Sequence, residues 1–560
     1  MSMELAKRSD AAPRKITTAR KGQERQMLPD AVQRFGPLSE AVNVKGAIVL
    51  EQVSRTGMHV DRDRLLQLRQ SKRAEVEALV ERLRALPEAN GLFKVDRKGM
   101  PMKTGTGLPS MHAKVLDRVL KDELARLHPA GLPEVPRNAG GTLSTASDHW
   151  LPYESGSAFV KAWLGVRSVR KELAFLELPD SERVHPRYTT LVRTGRTSCS
   201  KPNLQQVPRK GGFRECFTAS PGHCFLTIDY SFIELVTLAA TCLQRHGESR
   251  LADVISQGSD PHCHTASLIA GMQLDELLAL KKSDPVRYKD LRQRAKAVNF
   301  GIPGGMGPDA LRAYAKQNYG VALTLDDARK WRETLIAEVY PELKLYLSDR
   351  TMDALALHLG CTAEVLWSEL DSSGQRPGWL PGVLRKILAG CSTKKDGTPY
   401  DPAFLDRVWA GLCRCCHDPN LRQRLLSRKT GAVLSALCDE EAVTLTGRVR
   451  TGIGYTEGRN TPFQGLASDG AKLACFDLLR ARYKVIGFVH DEFVIELPVE
   501  ADHAREARRI EQIVCDAMSQ VIDHTVPVSA EYALSTCWSK EAKCLIDDQG
   551  RLLPWSPVRI

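Results

Sequence analysis

No apolar run among the 560 residues approaches the length of a membrane-spanning helix, and no apolar leader of secretory type opens the chain. A membrane-embedded or secreted class is therefore not indicated. The 15 cysteines are scattered rather than framed, which points away from a disulfide scaffold and toward reduced thiols. Metal-type spacings are scarce. Cys413-Arg414-Cys415-Cys416-His417 has the wrong spacing for common zinc fingers, and no Cys or carboxylate follows His262 and His264 at ligand spacing. An acidic surplus is missing too: 79 Lys and Arg against 67 Asp and Glu give a formal net charge of +12 and an isoelectric point near 9.0. That balance favours a polyanionic partner over a membrane or an acidic protein. The first 25 residues hold seven Lys or Arg against three Asp or Glu, with little hydrophobic pattern. They read as the start of a loose basic tail, an organelle-targeting segment being the less supported alternative.

What is present is a strand with an acidic end. Cys224 to Ile228 is apolar, Asp229 breaks the run, and a helix follows through Val236-Thr237-Leu238-Ala239-Ala240. Ser231 and Glu234 have the S-x-x-E spacing of a capping box, which marks the helix start. A carboxylate at the end of a buried strand has rigid support behind and open space in front, as a metal ligand needs; Asp is also a common strand breaker. A second such carboxylate stands far downstream. The apolar runs Val485–Val489 and Phe493–Leu497 flank His490-Asp491-Glu492, a tight hairpin with three ionisable residues at its tip. Asp229 and Asp491 could hold a pair of Mg²⁺ ions about 4 Å apart, as phosphoryl transfer requires.

Asp229-Tyr230-Ser231-x-Ile233-Glu234-Leu235 and His490-Asp491-Glu492 resemble motifs A and C of the family A DNA polymerases, the group typified by bacterial DNA polymerase I. Between them, Arg292-x3-Lys296-x3-Phe300-Gly301 resembles motif B, a helix face that reads basic, basic, aromatic. Thr194-Gly195-Arg196 with Pro202-Asn203-Leu204-Gln205-Gln206-Val207-Pro208, and Asn460-x-Pro462-x-Gln464-Gly465, are similar to further runs of the family. The resemblance implies an α+β, right-hand polymerase fold: thumb, split palm with an antiparallel sheet, and helical fingers. It implies template-directed extension of a primer 3′-OH with dNTPs. Asp229, Asp491 and the Tyr230 carbonyl would ligate two Mg²⁺ ions, with Glu492 supporting that site from its edge. Lys296, Arg292 and His262 would hold phosphates, while Tyr230, Glu234 and Phe300 would meet the incoming dNTP, Glu234 as a gate against a 2′-OH. Arg196, Asn203, Gln205, Asn460, Gln464 and His490 would face primer–template DNA, whose minor-groove acceptors sit alike in every correct pair.

Along the chain the resemblance gives a tail at 1–45, thumb and approach to the palm at 46–188, and a first palm part at 189–235. Fingers follow at 236–349, then a helical insertion at 350–444 that the bacterial enzymes do not need, then a second palm part and C-terminal tail at 445–560. No D-x-E on a strand precedes the thumb, so a proofreading 3′–5′ exonuclease is not expected; a separate exonuclease or processivity factor is a compatible partner. The expected location is the cytoplasm of a bacterial or phage-infected cell, with an organelle as the alternative. Two departures stand out. Gly304 takes the place of the family's tyrosine in motif B, and Pro303 predicts a helix that ends near Ile302. The missing ring predicts a looser hold on the templating base, unless a residue of the insertion fills the gap. Thr456 stands where the family has an arginine, with Arg459 as a candidate substitute. Two other readings stay open, a single-subunit RNA polymerase-like enzyme and an inactive polymerase-like DNA-binding protein. The Tyr230-Ser231-x-Ile233-Glu234 context favours DNA, and intact Asp229, Asp491 and Lys296 favour activity.

Overall fold

The computed structural model describes residues 39–104, 108–129, 141–348, 351–371, 373–394, 397–429 and 440–557. At its centre is a four-stranded antiparallel sheet of β1 (His223–Tyr230), β2 (Lys484–Val489), β3 (Glu492–Pro498) and β4 (Ala530–Ser535), in the order β4-β1-β3-β2. The strands read as nearly unbroken apolar runs because both faces of the sheet are covered. Successive side chains of a strand point to opposite faces, and here they feed two different cores. Leu226, Ile228, Phe493 and Ile495 join the larger core with the helices Ile233–His246, Tyr455–Arg480 and His503–Val521. Phe225 and Val494 join a second core with Val76, Val80, Trp150 and Trp163 from the N-terminal helical region. On β2 the alternation slips, with Val485 and Phe488 on one side and Ile486 and Val489 on the other. A register shift between Val485 and Gly487 absorbs the extra residue.

The hairpin between β2 and β3 turns on His490 and Asp491, with His490 in the left-handed region at φ 62°. Glu492 is therefore the first residue of β3, not part of the tip, and it is 3 % exposed. The expected tail through residue 45 falls mostly on 1–38, outside the described residues, whereas Ser39–Val44 is a helical turn running into the helix Lys45–Thr56. The segment 130–140 lies outside the described residues, which resume at Gly141.

Asp61 caps the helix Arg62–Arg84 by accepting from the Arg64 N–H at 3.0 Å. The motif B helix runs Pro285–Gly301 and stops ahead of Pro303, as the missing N–H requires. The capping box at Ser231 does not form: the helix Ile233–His246 has Phe232 at its N-cap, with φ 41°, and no side-chain cap bond. Glu234 is drawn away by a tertiary partner described below. Among the described residues of 351–429, five helices pack around a separate core that includes Leu355, Leu366, Leu384, Leu412 and Leu425. Cys413, Cys415 and Cys416 are buried in that core. Among the described residues no helix is long and apolar enough to cross a membrane.

Candidate active site

Asp229 sits near the end of β1, paired in register with Glu492 on β3 and Glu531 on β4. The hairpin turn brings Asp491 beside it, so two strand-end carboxylates line one cavity of about 820 Å³. Asp229 uses its two oxygens differently. Oδ2 accepts from Lys540 Nζ at 2.7 Å, while Oδ1 is buried with no hydrogen-bond partner. Glu492 is fully engaged: Arg214 (3.1 Å), the Trp538 indole N–H (3.1 Å) and Lys540 (3.1 Å) all reach it. Arg214 in turn stacks on the Trp538 ring at 4.0 Å. Burial alone would raise the Glu492 pKa, but the Lys540 and Arg214 charges outweigh it and hold the carboxylate ionised. Asp491 makes no ion pair with a described residue. Burial and then the charge of Asp229 push its carboxyl up to about 7.

This donor set suits Mg²⁺. An orphaned carboxylate oxygen and a second carboxylate destabilised by the first are what a hard dication relieves, and Mg²⁺ characteristically takes one or two carboxylates with substrate phosphates and water. Among the described residues no three His, Cys, Asp or Glu side chains converge into a ready-made metal cluster. The pair Asp229 and Asp491, with the Tyr230 backbone beside them in the cavity wall, is what the protein itself offers.

The opposite wall is basic. Arg292, Lys296 and Phe300 face the cavity from the helix Pro285–Gly301. Arg292 donates to Asp260 Oδ2 through Nε (3.1 Å) and Nη2 (2.6 Å). Asp260 is the N-cap of the helix Pro261–Ala270, where it also accepts from the His262 and Cys263 N–H groups. Lys296 makes no hydrogen bond or ion pair with any described residue, and burial and then Arg292 lower its pKa. His262 differs from expectation. It is 3 % exposed, packs on Phe300 at 5.4 Å and has Nδ1 facing the Asn299 amide at 3.1 Å. Burial pushes its pKa down to about 3, and it lines the same cavity beside Phe300. Arg209, which sequence reading passed over, is exposed and lines the same cavity.

The remaining expected residues divide. Arg196 pairs with Glu234 at 2.5 Å. Gln464 Nε2 donates to Asn460 Oδ1 (3.2 Å) and reaches Glu234 Oε2 (3.5 Å), and Asn460 Nδ2 donates to the Gly304 carbonyl (3.3 Å). These four line the cavity, with His490 in an adjoining pocket beside Arg196, Glu234 and Gln464. Asn203, Gln205 and Glu492 do not line it. Gln205 is spent on Thr197 Oγ1 (2.8 Å) and the Phe488 carbonyl (3.4 Å), bracing the loop against β2. Asn203 keeps a buried Oδ1 without a partner. Arg459 does not replace the arginine missing at Thr456, because its guanidinium donates inward to the Tyr346 carbonyl at 2.7 Å. Arg450 reaches the cavity wall instead, held by Thr461 and Glu457. Gly195 is positioned from behind: its carbonyl accepts from Lys472 at 2.5 Å, and at φ +84° a side chain would strike Arg448, which is locked to the buried Asp469.

In the structural comparison, the chain is similar to the POL domain of Pol1 from M. smegmatis, solved in complex with DNA primer-template and dNTP. The TM-score is 0.54 at 20 % identity, over 90 % of this chain and 72 % of that one. The fold is thus that of a polymerase domain: α+β, helical regions around a small antiparallel sheet that carries the two aspartates. Residues 156–361 match the model of DNA polymerase family A. Curated relatives extend the match on both sides. DNA polymerase I of Aquifex aeolicus is 25 % identical over 73 % of this chain and 55 % of its own length. The thermostable DNA polymerase I of Thermus thermophilus is 25 % identical over 94 % of this chain and 51 % of its own length, and that of Thermus filiformis 27 % identical over 76 % and 41 %. Residues 156–361 are thus similar to DNA polymerase family A, and the chain spans about half the length of the curated relatives it matches.

Proposed function

We propose that this chain is a template-directed DNA polymerase that extends a primer 3′-OH with dNTPs. One observation carries the reading: a single cavity sets two clustered carboxylates, Asp229 and Asp491, with a cation, Lys296, that has no partner among the described residues. A triphosphate that binds with divalent ions answers both walls at once. Two Mg²⁺ ions at Asp229, Asp491 and the Tyr230 carbonyl would supply acidification of the 3′-hydroxyl and neutralisation of the leaving pyrophosphate. The protein's own contribution is positioning. Lys296, with Arg292 and Arg209, would hold the phosphate oxygens; Phe300, backed by His262, would pack on the nucleotide; Glu234, fixed by Arg196, would close the space a 2′-OH needs. Arg196, Gln464, Asn460 and His490 would meet the primer–template, whose duplex binding rests mainly on phosphate contacts spread over the protein. Removal of 3′ nucleotides is not part of the activity proposed for these 560 residues.

Primer extension on a defined template with Mg²⁺ tests the reading. Templated addition of dNTPs by the wild type, lost in Asp229→Ala with duplex binding kept, supports it. Extension with rNTPs alone would point to an RNA polymerase, and duplex binding without any extension to a binding protein.

A further inference from the structure

Lys540 lies 311 residues from Asp229 in sequence, on the segment that follows β4, yet its ammonium bridges Asp229 Oδ2 (2.7 Å) and Glu492 Oε2 (3.1 Å). Glu492 has no oxygen to spare: Oε1 takes the Trp538 indole N–H, and Oε2 takes Arg214 as well as Lys540. Arg214 and Glu492 are both nearly inaccessible, so this side of the network is fixed. Asp229 is the more exposed partner, and its free Oδ1 is the oxygen that Lys540 leaves over.

We infer that Lys540 is a positioning residue that serves as an internal counter-ion at the metal site, competing with divalent ions for Asp229 and leaving its Oδ1 free. The anchor of this ammonium is Glu492, which thereby acts on the site through Lys540 rather than as a ligand. Two physical consequences follow. The carboxylates tolerate the ion-free state, because one of them is already neutralised within the protein. Divalent-ion binding to the protein alone is weakened, because a unit positive charge stands within one ion pair of the ligand oxygen. Tight loading then depends on the further oxygens that a triphosphate brings.

The inference rests on the reading of Asp229 and Asp491 as divalent-ion ligands, and the experiment separates the two. Mn²⁺ binding to the full chain, without nucleotide or DNA, is measured by electron paramagnetic resonance of the free ion. The double substitution Asp229→Asn with Asp491→Asn should abolish the strongest binding; if it does not, the ligand reading itself fails. With that control in place, Lys540→Met and Lys540→Gln should each bind Mn²⁺ at least about five-fold more tightly than wild type, while Lys540→Arg, which keeps the charge, should stay near wild type. Two uncharged replacements guard against one failing to fold. Unchanged or weaker Mn²⁺ binding in the uncharged variants, or equal tightening in Lys540→Arg, would overturn the inference.

Discussion

The two walls of the cavity carry opposite charge but are built alike. On each, one charged group has an ion-pair partner and the other has none among the described residues. Asp229 is held by Lys540 and Asp491 by no cation; Arg292 is held by Asp260 and Lys296 by nothing described. The difference lies in the supports. The acidic pair stands on the ends of sheet strands with core on both faces, and its counter-ion arrives from a distant segment. The basic pair stands on one helix, and its counter-ion is the N-cap of the neighbouring helix. The partnered member of each pair is fixed in place before any ligand arrives, and the unpartnered member carries the unmet charge. Binding of a ligand that complements both is then favoured by Asp491 and Lys296 and guided by Asp229 and Arg292.

The largest expected effects test the acidic wall. Asp491→Ala or Asp229→Ala should lower single-turnover extension by about 10³-fold or more, while duplex affinity stays within a few-fold by fluorescence anisotropy. Near-normal extension by either would dissolve the acidic half of the comparison. On the basic wall, the partnered and unpartnered residues should separate. Lys296→Ala should cost about 10²-fold in kcat/KM for dNTP with little change in Tm, since it breaks no internal bond. Arg292→Ala should lower kcat/KM as well, and also lower stability by about 1 kcal/mol in urea melts, because a two-bond pair at a helix cap is lost. Equal stability of the two variants would mean that the Asp260 pair is not formed in solution.

Glu234 gives a smaller and more specific effect. Its carboxylate is tied to Arg196 and not to the helix start, so a capping loss no longer competes as an explanation. Glu234→Ala should raise ribonucleotide incorporation about ten-fold or more relative to dNTP, read as a ratio of kcat/KM values, with Tm nearly unchanged. A drop in Tm with no change in that ratio would show that Glu234 only braces Arg196.

The features that were legible in the sequence are those set by neighbours along the chain. An apolar run closed by Asp229, two runs meeting at His490-Asp491-Glu492, and Pro303 ending a helix are all local statements; the structure keeps the last and shifts the first two by one residue, β1 running on through Tyr230 and β3 starting at Glu492. The capping box at Ser231 was equally local and failed, because Arg196 offered Glu234 a full charge where the backbone offered one N–H. The pairs that hold the site and its surrounding loops were hidden for the opposite reason. Lys540 with Asp229, and Gln205 with Phe488 at a separation of 283 residues, have no signature in spacing. The resemblance implied His262 as a phosphate ligand, and its burial against Phe300 and Asn299 was not legible in spacing.

The smallest expected effect lies at the seam between the walls. Gly304 was expected to leave open the space of a missing ring, with a residue of the insertion as one way to fill it. Asn460 comes up against Gly304: a Cβ on Gly304 would lie 2.7 Å from Asn460 Oδ1, and the Asn460 amide donates to the Gly304 carbonyl. Asn460 continues through Gln464 to Glu234, so a line of hydrogen bonds joins the end of the basic helix to the acidic side. The insertion contributes at one remove. Tyr455 lies over Gly305, and Arg385 from the insertion stands 5.9 Å from the Tyr455 ring. An amide in place of a ring gives hydrogen bonds but little stacking surface. The templating base should therefore be held more loosely than in a relative with the tyrosine, and the remaining check should run through Asn460. Gly304→Ala would push that amide aside and should raise misinsertion a few-fold with correct insertion lowered by less. Asn460→Ala should do the same, and the double variant no more than either alone, since both break one contact. Single-nucleotide insertion kinetics with correct and incorrect dNTPs read all three. Additive effects would show that Gly304 and Asn460 act apart, and that the seam does not couple the two walls.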